Sequence, residues 1–166
     1  ASNAFLGDGA GNSDDGNNSN TAVGIDALNA NTDRSGHVAV GYQALYNNGT
    51  GATESYHASQ NTAVGSQSLY TNTIGRWNTA NGYKSLYSNT TGAYNTAVGH
   101  QSLYSNTTGF MNVAIGYHAL EDNTTQGTLV AVGYAALNNN GTGATTSQQA
   151  QYNTAVGHLA LYENTI

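Results

Sequence analysis

Apolar and polar residues alternate over short stretches of this chain, the alternation stops, and the whole pattern returns every seventeen residues. One unit reads Asn61-Thr62-Ala63-Val64-Gly65, followed shortly by Ser68-Leu69-Tyr70. The marker glycines are Gly24, Gly41, Gly65, Gly82, Gly99, Gly116, Gly133 and Gly157, so successive steps are 17, 24, 17, 17, 17, 17 and 24 residues. Self-similarity at such a period is the signature of a stacked-repeat architecture. Alternation in Thr62-Ala63-Val64 predicts a short strand with Thr and Val on one face and Ala on the other. Glycine and Asn-Thr pairs interrupt every candidate helix, and each interior glycine would disfavour one by about 1 kcal/mol. The expected fold is all-β: a parallel β-solenoid of about nine coils of 17 residues with two 7-residue insertions. At roughly 3.3 Å per residue a coil has about 56 Å of contour, enough for two short strands and two turns. Coils about 4.8 Å apart predict a rod on the order of 40 Å long.

Three positions besides the glycine never vary. Alanine stands two before it, leucine four after it and asparagine seven after it, as in Ala63, Leu69 and Asn72. A fixed Ala marks a place without room, a fixed Leu a shared apolar layer, and a fixed Gly a bend or a close backbone approach. A fixed Asn at a turn predicts a ladder of stacked amides. Coil starts fall near Asn3, Asn20, His37, Asn61, Asn78, Asn95, Asn112, Leu129 and Asn153, within one repeat domain spanning 1–166. The first coil exchanges sizes: Phe5 takes the alanine position and Gly11 the leucine position, which keeps core volume. Asn81 replaces Val in another coil, beside Arg76 and Trp77, and reads as a local surface irregularity. The chain opens at a repeat edge without Met, and is read as a segment of a longer fibre protein or a matured form of one.

Composition narrows the function. Charged residues make up 7% of the chain, the net charge is −6, and the only cationic side chains besides histidine are Arg34, Arg76 and Lys84. That is too little positive charge for phosphate-based nucleic-acid binding or docking on anionic lipid. No apolar run is long enough to span a bilayer. Hydrophobic residues at 38%, in fixed register, argue for order. There is no cysteine and hence neither a disulfide nor a thiolate metal site.

Asn95-Thr96-Ala97-Val98-Gly99 and Asn112-Val113-Ala114-Ile115-Gly116, each followed by Ala/Ser-Leu, resemble head repeats of YadA-like trimeric autotransporter adhesins and the similar repeats of phage-type tail fibres. The resemblance covers nearly the whole chain. It implies a left-handed β-roll, a homotrimer with a shared core, and an extracellular fibre on a cell or phage-like particle whose job is attachment to a host-surface glycan or protein. The repeat here is longer than the usual head repeat and carries two insertions. Two other functions suit the pattern: a purely structural extracellular filament, and an ice-binding solenoid built on ranks of Thr. Asn89-Thr90-Thr91 and Asn106-Thr107-Thr108 match the glycosylation acceptor pattern.

Catalytic signatures are missing: there is no Gly-x-Ser-x-Gly elbow, no phosphate loop with Lys and no His-Glu-x-x-His. The expectation is a non-enzymatic protein with no catalytic residue and no cofactor. Calcium is the candidate cation at Asp8, Asp14 and Asp15, in a Gly/Asn-rich stretch that reads otherwise as a solvated cap or loop. His100 and His158 stand where other repeats carry Tyr, and read as polar replacements on one face, with ion binding as the rival. Tyrosines recur after the Gly (Tyr42, Tyr83, Tyr117, Tyr134) and after the Leu (Tyr46, Tyr70, Tyr87, Tyr104, Tyr162), which predicts coil-to-coil stacking with some packing between chains. Recognition residues are expected where the repeat is broken. The insertions supply Glu54, Tyr56 and His57 in the first and Gln148 and Gln149 in the second.

Overall fold

The computed structural model describes residues 2–16, 18–141 and 150–164. Nine parallel strands form one sheet in chain order: β1 (Ala4–Leu6), β2 (Thr21–Val23), β3 (Val38–Val40), β4 (Thr62–Val64), β5 (Thr79–Asn81), β6 (Thr96–Val98), β7 (Val113–Ile115), β8 (Val130–Val132) and β9 (Thr154–Val156). Register never slips, so Ala63 pairs with Ala80, Ala80 with Ala97 and Ala97 with Ala114. From β2 to β9 the central alanine is buried and its two neighbours face outward. The chain is a parallel β-solenoid.

Among the described residues each coil holds one three-residue strand, although its contour is long enough for two. The remainder follows a different rule. After the glycine, residues two and four further on sit in the left-handed region: Gln67 (φ 57°) and Leu69 (φ 50°), Gln101 (φ 54°) and Leu103 (φ 52°). Left-handed and right-handed residues alternate, and backbone groups point up and down the rod in turn. Gln67 N–H donates to Tyr42 O below, and Leu69 N–H donates to Ser85 O above. Every coil is thereby bonded to both neighbours without a second strand. A left-handed L-residue costs roughly 1–2 kcal/mol, and burying a leucine completely offers about 2 kcal/mol against it. Leu28, Leu45, Leu69, Leu86, Leu103, Leu120 and Leu137 are all fully buried and form the core with the strand alanines.

The marker glycine bends the chain against the next coil. A Cβ built on Gly65, at φ +129°, would lie 2.6 Å from Gly82 O. In the first coil the Phe5 ring fills the space a side chain on Gly11 would need, so the size exchange is real packing.

Two asparagine ladders run along the rod. At seven after the glycine, Nδ2 donates to Oδ1 of the previous coil: Asn72 to Asn48 at 2.8 Å, Asn89 to Asn72 at 2.8 Å and Asn106 to Asn89 at 2.9 Å. The same amide also donates to a carbonyl of its own turn, as Asn89 does to Gly92 O at 3.0 Å. At four before the glycine, Oδ1 accepts the next coil's backbone N–H, as Asn78 does from Asn95 at 3.0 Å. This second ladder is broken at His37 and Leu129, the coils whose own turns carry the insertions. Asn89 and Asn106 are fully buried, so these two glycosylation-pattern asparagines are ladder rungs closed to modification in the folded rod.

Candidate functional site

Where Asn72 and Gly75 are separated by two residues, the equivalent Asn48 and Ala58 of the preceding coil are separated by a loop from Gly49 to His57. Arg34 holds its start, donating through Nη2 to Ala52 O at 3.0 Å. A turn closes it, with His57 N–H donating to Glu54 O at 3.0 Å and Glu54 N–H donating to His57 Nδ1 at 3.3 Å. Glu54 and Tyr56 are exposed. Tyr56 meets His57 edge-on at 4.8 Å between ring centres.

The loop does not stand alone. Arg76 places its guanidinium 4.9 Å from the Tyr56 ring centre and 4.7 Å from that of Trp77, a cation–π bridge between loop and rod. Trp77 stacks on Tyr94 at 4.8 Å, and its indole N–H donates to Gln60 Oε1. Met111, in the next coil at the same position, is exposed. The coil read as a surface irregularity is therefore the platform of the insertion. The deviant text Gly75-Arg76-Trp77 carried that signal, but sequence gave no sign that it faced Tyr56. Gln148 and Gln149 lie outside the described residues.

Of the acidic residues considered for calcium, Asp14 and Asp15 share a donor, Asn18 Nδ2. Asp14 occupies the ladder position of the first coil and ends both ladders: Oδ2 accepts from Asn20 at 2.8 Å and Asn31 at 2.9 Å, and Oδ1 accepts from Asn3 at 2.6 Å, Gly16 N–H at 2.8 Å and Asn18 at 3.2 Å. Asp15 accepts from Asn18 at 2.7 Å. The Asp8 carbonyl serves the backbone of Asp26. Among the described residues no group of three His, Cys, Asp or Glu side chains is placed to hold a metal ion.

Both ring columns form, but without Tyr42 and Tyr162, which Ser66 and the Glu121/Asn138 pair separate from the other tyrosines of their columns. Tyr46, Tyr70, Tyr87 and Tyr104 stack at 5.2–5.3 Å within 9° of parallel. Burial pushes the Tyr70 hydroxyl above the usual tyrosine range, with neighbouring tyrosines acting in the same sense. In the second column, Tyr83, His100, Tyr117, Tyr134 and His158 follow one another at 5.0–5.3 Å. His100 and His158 take a tyrosine's place in the stack.

Beside the second column lies an open groove of about 610 Å³, walled by Tyr117, Tyr134 and His158 and floored by Ala135 and Leu159. It exists because the first column is interrupted: Glu121 and Asn138 stand where Tyr104 and Tyr162 stand in flanking coils. Glu121 Oε2 meets His118 Nδ1 and accepts from Asn138 Nδ2 at 3.1 Å. Burial pushes the neighbouring Asp122 carboxyl above the usual range, with the Glu121 charge adding to it. Sequence reasoning passed over this site, although the missing tyrosines were a readable cue.

No family model matches the chain, and neither a curated protein nor a solved structure matches it.

Proposed function

We propose that the chain is the head or shaft of a non-enzymatic extracellular attachment fibre, in which three copies pack side by side along their sheets. The observation that carries this reading is the outward face of the sheet. It holds two straight ranks, one of Thr and Val that begins at Ala4 and one of Val and Ile that begins at Leu6 and is broken at Asn81, with no charged side chain in any of the nine strands. On a single chain Ile115 is 40% and Val156 70% exposed. An uncharged face with a largely apolar rank of this kind suits an interaction surface. Burying it against copies leaves the ring columns and the Tyr56–Arg76–Trp77 cluster as projecting groups on a rigid rod. Beads coated with the chain and offered to animal-cell and bacterial surfaces test the attachment role. Retention no greater than that of an unrelated acidic protein removes it.

A second reading draws on the same face. Thr21, Thr62, Thr79, Thr96 and Thr154 share one rank in register, and a flat, regular array of Thr and Val suits ice binding. That function needs the face uncovered. Absence of thermal hysteresis ends it.

A further inference from the structure

We infer that the groove at the tyrosine gap is a saccharide-binding site, accepting one or two neutral pyranose units. The choice of ligand class rests on the attachment reading; the site itself rests on four observations.

First, the groove is a departure from the repeat. Tyr46, Tyr70, Tyr87 and Tyr104 fill the same position in consecutive coils, and Glu121 and Asn138 then leave it open until Tyr162. Second, the opening is large for a gap between side chains, at about 610 Å³, and lies in the range of small-molecule sites. Third, its polar groups are fixed before any ligand arrives. Asn138 Nδ2 donates to Glu121 Oε2 at 3.1 Å and to His118 O at 3.1 Å, and His118 Nδ1 meets the same carboxylate oxygen. Glu121 Oε1 is the oxygen these two leave to accept hydroxyl protons. Fourth, the wall rings are stacked within 17° of parallel from Tyr117 to His158, so both faces of Tyr134 are covered by its neighbours. They offer edges and phenolic hydroxyls.

Those features select the ligand chemistry. Ring edges carry the positive side of the aromatic quadrupole, which disfavours a cation against this wall. Glu121 and Asp122 disfavour an anion. A neutral polyhydroxyl ring meets the edges and the phenols with its hydroxyl oxygens and the carboxylate with its hydroxyl protons.

The test uses the whole chain and the methyl glycosides of glucose, galactose, mannose, N-acetylglucosamine and N-acetylgalactosamine, observed by saturation-transfer NMR. At least one should receive saturation, while a sialoside should not. Glu121→Gln should weaken that binding roughly tenfold, the worth of a charged hydrogen bond. The double variant Glu121→Tyr/Asn138→Tyr restores the repeat's own residue and fills the groove. It should abolish binding while the melting temperature holds or rises, which separates loss of the site from loss of the fold. No saturation of any of the five glycosides, or full binding by the filled variant, overturns the inference. Saccharide binding without attachment to cells would sink the attachment reading alone. Attachment that survives the filled variant would remove this groove as its cause.

Discussion

The backbone N–H of Asn61 donates to Nδ1 of His37 at 3.2 Å, in the one described coil where a histidine replaces a ladder asparagine. The ring's other nitrogen lies 3.1 Å from Nδ2 of Asn48, which also carries protons. Both ring nitrogens thus face donors, and a doubly protonated ring has nowhere to place its second proton. Burial holds the imidazole neutral down to about pH 4, against the pull of the Asp14 carboxylate. The free side chain titrates near 6.5. Stability is full above that value. As pH falls from about 6.5 to about 4 the unfolded chain binds one more proton than the folded one, and stability drops by about 1.4 kcal/mol per pH unit. Urea unfolding across that range checks the slope. His37→Asn restores the ladder and should flatten it.

Asn89 donates to Asn72 Oδ1 and Gly92 O, and accepts from Asn106. Asn89→Ala strands buried partners in the middle of the rod and should cost about 2–4 kcal/mol. Chemical denaturation measures it. A loss below about 0.5 kcal/mol would show that the amides add nothing beyond shape.

Gly65→Ala meets two obstacles, a φ of +129° and the carbonyl of Gly82. Gly51→Ala, at φ +77° with nothing within 4 Å, meets only the first. The Gly51 variant should lose about 1 kcal/mol, and the Gly65 variant several-fold more or fail to fold. Melting temperatures of the pair separate close approach from backbone strain.

Tyr56→Ala and Arg76→Ala should be coupled by about 0.5–1 kcal/mol in a double-mutant cycle. Zero coupling would mean that the insertion is not seated on the rod. Attachment should fall in both single variants if the cluster carries recognition.

Much of the fold was legible because each coil repeats the same demand. Ala63, Leu69, Gly65 and Asn72 recur in register, and small, apolar, bending and ladder roles follow from residue type alone. The left-handed leucines were not legible, since Leu69 carries no side-chain sign of positive φ; the conformation comes from alternating hydrogen bonds to the coils above and below. That also explains the single strand per coil. The insertion was visible as broken spacing, whereas its contact with Arg76 depends on how far the loop folds back, which spacing does not encode. The groove could have been found by asking what Glu121 and Asn138 fail to fill.

The sheet face decides the account most directly, because attachment by a packed fibre and ice binding make opposite demands on it. Light scattering on the purified chain measures its mass in solution. Three times the 17.1 kDa chain mass is the predicted result. A mass of one chain at high concentration, with Val23 and Ile115 open to solvent, would contradict it.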